Sequence, residues 1–257
     1  MTGPVPRTVL ITGCNRGIGL ELVKQLLAKP NPPDLLFATC RSPGTPQCQE
    51  LTNLAAKHPN LSVISLEATD PGSVAEAKKE VEKQLKGRGL NVLINNAGIM
   101  PESTLESVDE KDLLNVYTVN VVGPVLVTKA FLPLLKKAAQ VNPQAPMNWT
   151  RAVLINMSTI GSSIAKVSEN FSWMQVVSYR CSKAALNMLT CCQSLGYKKD
   201  SILCTAIHPG WVQTDLGGSE APLSVEESVK GILKVLCNLT EKQNGILLDW
   251  EGNTIPW

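Results

Sequence analysis

Short apolar, β-branched runs alternate with amphipathic stretches along nearly the whole chain. The segment Thr8-Val9-Leu10-Ile11-Thr12-Gly13 is apolar without alternation and stops at glycine, the mark of a short strand buried on both faces. Apolar residues then recur at helical spacing, with Ile18, Leu22, Leu26 and Leu27 on one face and Pro30 beyond the end. The same unit repeats as strand Leu35 to Cys40, helix from about Cys48 to Lys57, strand Leu61 to Leu66, helix from about Ser73 to Lys86 and strand Val92 to Asn95. The second half predicts a long helical stretch from Asp109 to about Ala139, broken or bent at Gly123-Pro124, then a Pro-, Gln- and Asn-rich loop and strand Ala152 to Asn156. Helix Val177 to Leu195, strand Ile202 to Ile207, helix Val225 to Leu239 and a last strand near Ile246 to Asp249 complete the pattern. Strands alternating with helices require crossover connections, so the expected fold is α/β: a doubly wound parallel sheet of about seven strands with helices on both faces.

Length and composition narrow this picture. The chain has 257 residues with no shift in composition between its halves, so one domain spanning 1–257 is expected. Hydrophobic residues make up 44%, charged residues 18% and the net charge is +2, which gives no reason to expect nucleic acid or an acidic membrane surface as partner. No apolar run is read as long enough to span a bilayer, and Met1 to Arg7 is too short and polar for a secretory signal, so a cytoplasmic location is the expectation. The eight cysteines form no CxxC pair, and Cys191 adjoins Cys192; neither a zinc site nor a disulfide ladder is expected, and no metal is assigned.

The first chemical signal follows the first strand, where Thr12-Gly13-Cys14-Asn15-Arg16-Gly17-Ile18-Gly19 opens directly into a helix. Glycines here let the backbone turn tightly and approach a pyrophosphate, while helix N-terminal amides supply the anion site. A lone pair of glycines would be only a turn; three at this spacing within a βα series point to a dinucleotide. About 20 residues further on, an acid would bond the adenosine ribose of NAD. The second strand instead ends Ala38-Thr39-Cys40-Arg41, and Arg16 and Arg41 suit a 2′-phosphate, which favours NADP(H).

The second signal is Tyr179-Arg180-Cys181-Ser182-Lys183. Residues at i and i+4 share a helix face, so the ammonium can stand beside the phenol and favour its ionised form, tuning it for proton transfer. Alone, this spacing is common and fits an exposed surface pair better; its weight comes from lying after the fifth strand of a chain that carries the nucleotide turn.

Thr12 to Gly19, Asn95-Asn96-Ala97-Gly98, Asn120, Tyr179 with Lys183, and Pro209-Gly210 with Thr214 together resemble the ordered signature of the short-chain dehydrogenase/reductase superfamily and its Rossmann fold. Asn156-Met157-Ser158, His208 to Gly218 and the ending Asp249 to Trp257 are similar to the sniffer-type carbonyl reductases and the related C-factor proteins. The resemblance implies Tyr179 as general acid for reduction or base for oxidation, and Lys183 as holder of the nicotinamide ribose. It implies Asn120 as part of a water-linked proton relay. A hydroxyl at the fifth strand's end would orient the carbonyl: Thr159 by alignment, with Ser158 as the alternative. The cofactor set it implies is Gly13, Asn15, Arg16, Gly17, Ile18, Gly19, Arg41, Asn96, Ala97, Gly98, Tyr179, Lys183, Pro209, Gly210, Val212 and Thr214. Glu67 stands where the family has an Asp beside the adenine. Pairing through helices corresponding to Gly123–Ala139 and Val177–Leu195 implies a homodimer or homotetramer.

The stretch Ile160 to Ser178, with Phe171, Trp173 and Met174, and the segment Asp215 to Pro222 are expected to wall the pocket. Their apolar and aromatic content favours a small hydrophobic carbonyl substrate over a charged sugar. Two rivals stay open: an alcohol or steroid dehydrogenase running oxidatively, and a non-catalytic NADPH-binding regulator.

Overall fold

In the computed structural model, which describes residues 5–257, seven parallel strands and one short antiparallel strand form a single sheet. The parallel strands are β1 (Thr8–Ile11), β2 (Leu35–Cys40), β3 (Leu61–Ser65), β4 (Val92–Asn95), β5 (Val153–Met157), β6 (Leu203–His208) and β7 (Leu247–Asp249). The eighth, β8 (Thr254–Ile255), pairs antiparallel with β7, and the order across the sheet is β3-β2-β1-β4-β5-β6-β7-β8.

Successive residues of a strand feed opposite cores, which is why the strands lack a hydrophobic-polar alternation. Val9 and Ile11 pack with Leu22, Val23 and Leu26 of α1 (Gly17–Leu27), with Leu51 of α2 (Gln49–Lys57), and with Ile232 and Leu236 of α8 (Val225–Cys237). Leu10, between them, packs on the other face with Val74 and Val81 of α3 (Pro71–Leu85) and with Val127 and Phe131 of α5 (Gly123–Gln140). The remaining helices are α4 (Glu110–Tyr117), the single turn α6 (Val167–Asn170) and α7 (Val177–Gly196).

The long helix differs from the expectation of a break at Gly123-Pro124. A π-helical turn, Thr118–Val122, joins α4 to α5, and helical backbone runs on from Glu110 to Gln140. Pro124 falls in the first turn of α5, where the widened register leaves its missing N–H without consequence. That 31-residue helix, with a mean hydropathy of 1.6 in its most apolar window, is also long and apolar enough to cross a bilayer, contrary to the sequence reading. Half of that window is buried inside the protein, because α5 lays its apolar face on the sheet. The eighth strand went unforeseen because two residues are too few to show a period; the Asp249 carboxylate forms the turn before it by accepting from the Glu251 and Asn253 amides.

The winding direction reverses between β1 and β4, so the crevice for a ligand opens beyond the carboxyl ends of these two strands. Every candidate catalytic or cofactor-binding residue lies on that edge, in the segments after β1, β2, β3, β4, β5 and β6, on the π-helical turn, or at the start of α7.

Candidate functional site

The turn after β1 and the turn after β4 are stitched together. The Thr12 hydroxyl accepts from the Asn96 and Ala97 amides, each at 3.0 Å, and the Asn96 side chain donates to the Thr12 and Gly13 carbonyls at 2.9 and 3.1 Å. Asn96 thus braces the glycine turn itself. Gly13 has φ +69°, and a Cβ there would stand 2.9 Å from Ala97 Cα; a Cβ on Gly19 would stand 2.2 Å from the Gly13 carbonyl oxygen. Only glycine lets α1 begin this close to the strand ends.

Asp70, Asp109 and Ser224 cap α3, α4 and α8 with their side chains, whereas α1 has neither a side-chain cap nor an acidic residue in its first turn. Its leading amides around Gly17 and Ile18 are therefore open to an anion at the positive end of the helix dipole. Asn15 is half-buried in the same turn.

Arg16 and Arg41 are both exposed, and each has an acidic partner. Arg16 Nη1 pairs with Asp215 Oδ2 at 2.6 Å, which spans from the glycine turn to the loop after β6. Arg41 Nε stands 4.0 Å from Glu67 Oε2. The other Glu67 oxygen accepts from the Thr69 amide and hydroxyl at 3.2 and 2.9 Å, so this carboxylate is turned toward its own loop and Arg41.

Tyr179 and Lys183 lie on the inner face of α7, 8% and 4% exposed, with Nζ 5.7 Å from the phenol ring centre. Lys183 Nζ donates to the Met157 carbonyl at the end of β5 at 2.7 Å. Burial lowers the Lys183 pKa to about 8 and raises that of Tyr179 to about 12, opposed only by a hydrogen bond with the Thr159 side chain. The Lys183 ammonium directs its hydrogen bond to the Met157 carbonyl, and burial is the main cause of both shifts.

The two hydroxyls at the end of β5 have different surroundings. Thr159 Oγ1 accepts from the Gly161 amide at 3.1 Å and faces Tyr179. Ser158 Oγ points the other way, donating to Asn187 Oδ1 at 2.7 Å with Ser162 Oγ at 3.2 Å. Asn187, unmarked by sequence reasoning, sits four residues after Lys183 on the same helix face, a spacing that could have found it.

Asn120 is fully buried on the π-helical turn. Its side chain is fixed by both backbone groups of Ile99 at 2.9 Å and donates to Ser182 Oγ at 3.0 Å. A Cβ on Gly98 would stand 3.1 Å from Asn120 Oδ1 and 3.5 Å from Lys183 Nζ, so the bare glycine borders both groups.

The segment after β6 forms the opposite wall. Gly210 has φ +88°, the Pro209 carbonyl accepts from Ser228 Oγ at 2.6 Å, and Val212 bridges to Leu223. Thr214 comes close enough to the glycine turn that its Cγ2 would be 3.4 Å from a Cβ on Gly17. At the rim, exposed Trp211 stacks on exposed Trp173 with ring centres 5.5 Å apart, which joins the two expected substrate walls. Arg180, a second residue the sequence reading passed over, is buried behind the Trp173 wall. Among the described residues no cluster of three or more His, Cys, Asp or Glu could hold a metal.

The chain matches the family model for short chain dehydrogenases over residues 7–222. The NADPH-bound carbonyl reductase from chicken fatty liver is 50% identical, with a TM-score of 0.95 over 99% of this chain and 100% of that one. The carbonyl reductase Sniffer of D. melanogaster is 42% identical, with a TM-score of 0.93 over 98% of this chain and 100% of that one. The C-signal protein of Myxococcus xanthus is 36% identical over 65% of this chain and 93% of its own.

Proposed function

This chain belongs to the short-chain dehydrogenases, an oxidoreductase family, and from that premise we propose that it is an NADPH-dependent reductase of small hydrophobic carbonyl compounds. The observation that carries the reading is the burial of Tyr179 and Lys183 on one face of α7, with Nζ 5.7 Å from the phenol ring centre, at the sheet edge where the uncapped α1 begins.

The residues present fit a dinucleotide: Gly13, Gly17 and Gly19 clear the approach, the α1 amides meet the pyrophosphate, and Arg16 and Arg41 take the 2′-phosphate. Gly98, Lys183, Pro209, Gly210, Val212 and Thr214 border the nicotinamide end. When bound, reduced nicotinamide supplies a hydride to the carbonyl carbon. Tyr179 gives its proton to the carbonyl oxygen, a role suited to a phenol that burial keeps protonated at neutral pH. Thr159 donates a second hydrogen bond to the same oxygen as its charge develops. Lys183 holds the ribose, and Asn120, fixed on the rigid π-helical turn, ends the route by which the phenol regains a proton.

Tyr179 serves the oxidative direction as base as readily as it serves reduction as acid, so the cofactor supplied, NADPH or NADP⁺, sets which way the reaction runs. The exposed Trp173–Trp211 pair supports an apolar substrate. The test is NADPH consumption against a panel of aromatic and aliphatic ketones, aldehydes and quinones: turnover with NADPH well above that with NADH is expected, and equal kcat/KM for the two cofactors, or no turnover of any carbonyl, would overturn the proposal.

A further inference from the structure

Arg180 follows Tyr179 on α7 but faces the other side of the Trp173 wall. Its side chain is 7% exposed, and no carboxylate among the described residues forms an ion pair with it. The guanidinium is met by the loop: Nε donates to the Met174 and Gln175 carbonyls at 2.7 and 3.0 Å, Nη1 to the Gly161 carbonyl at 3.1 Å and Nη2 to Asn170 Oδ1 at 2.5 Å. Its carbon lies 5.6 Å from the centre of the Phe171 ring. One planar fork therefore gathers both ends and the middle of the segment from 161 to 175.

Two further observations show that this segment is held under constraint. Val176, a β-branched residue, has φ +27°, a conformation that persists only where its neighbours over-determine it, and the two carbonyls before it are those that Nε holds. At the other end Arg180 takes the Gly161 carbonyl, whereas the Thr159 hydroxyl is met by the Gly161 amide, which belongs to the preceding peptide unit, so the wall is held separately from that hydroxyl. Between these points stands Trp173, stacked on Trp211 across the rim.

We propose that Arg180 is a positioning residue for the substrate: by holding the 161–175 wall it fixes where Trp173 stands and so sets how tightly a bulky carbonyl is held, without touching the proton chemistry. This rests on the reductase reading above. A lysine in its place keeps the charge but has a single head and cannot reach four acceptors at once.

The test compares wild type with Arg180→Lys in three measurements. KM for a two-ring aromatic ketone is expected to rise by about tenfold while KM for a small aliphatic carbonyl, kcat and its pH profile stay within about twofold. The NADPH Kd is expected to be unchanged, and tryptic cleavage after Lys166, inside the wall, to be about fivefold faster. Unchanged KM for the large ketone, or equal loss for both substrates together with weaker NADPH binding, would overturn the proposal. Should Arg180→Lys fail to fold, Asn170→Ala removes one acceptor while leaving the arginine, and the same criteria apply with smaller shifts. If the wild type reduces no carbonyl, the reductase reading has failed by itself, and cleavage at Lys166 alone decides whether Arg180 holds the wall.

Discussion

The ammonium of Lys183 stands 5.7 Å from the centre of the Tyr179 ring, yet its hydrogen bond goes to the Met157 carbonyl at 2.7 Å. Both groups are buried, and burial disfavours the charged form of each, moving Lys183 down to about 8 and Tyr179 up to about 12.

A pH dependence of stability follows from Lys183. Its folded pKa lies below the ordinary lysine value of 10.5, so between about pH 8 and that value the unfolded chain binds more protons and this residue's contribution to stability rises with pH. The buried thiols of Cys14, Cys40 and Cys204, all pushed up, work oppositely above about pH 9, because the unfolded thiols ionise first. The quantity to measure is therefore the Tm of wild type minus that of Lys183→Met. It is expected to shift in favour of wild type by a few degrees from about pH 8 to about pH 10. A difference independent of pH would mean that the ammonium is not desolvated.

Thr159 and Ser158 are expected to separate cleanly. Thr159→Ala should lower kcat by about 10² or more through loss of a hydrogen bond to the developing oxyanion, and Thr159→Ser should restore most of it. Ser158→Ala leaves the buried Asn187 carbonyl without its donor and should destabilise by about 1–3 kcal/mol with little effect on kcat. Equal loss of kcat in both alanine variants would place the two hydroxyls in one role.

Cofactor choice should be carried by the exposed arginines. On the proposed reading, Arg16 would exchange its Asp215 partner, and Arg41 its distant Glu67 partner, for the 2′-phosphate. Each alanine variant is expected to weaken NADPH by about tenfold, the scale of one charge-assisted bond, and to leave NADH unaltered. Fluorescence titration with both nucleotides reads this directly, and parallel weakening of both would remove the arginines from phosphate recognition.

Much of this was legible in the sequence, and the reasons are particular. Thr8 to Ile11 reads as a buried strand because Val9 and Ile11 serve Leu22 on one face and Leu10 serves Phe131 on the other, so the three run on as apolar residues without alternation. Gly13 and Gly19 are legible because any Cβ there would collide with backbone. What escaped depends on contacts distant along the chain. The role of Asn96 as a brace needs Thr12 and Gly13 beside it, and the bonds of Arg180 run to four residues between 161 and 175 that carry no pattern. The phenol's upward pKa depends on burial, which the Tyr-x-x-x-Lys spacing does not encode. The Gly123-Pro124 pair misled because a π-helical turn places the proline where it breaks nothing.

Oligomeric state is a further expectation of the family resemblance. Val125 of α5, and Met188 and Leu195 of α7, are exposed apolar side chains on the helices expected to pair. Light scattering coupled to gel filtration should give twice the 27.7 kDa chain mass or a higher multiple, and Met188→Glu together with Leu195→Glu should lower it. A wild-type mass of one chain would contradict the expectation.

The decisive measurement is a single-turnover reduction of an aromatic ketone by NADPH-loaded protein, wild type against Tyr179→Phe. Wild type is expected to oxidise the bound NADPH as the alcohol forms, while Tyr179→Phe, loaded with saturating NADPH, reacts slower by about 10³ or more. Equal rates in the two proteins would show that the phenol beside Lys183 and Thr159 does not deliver the proton.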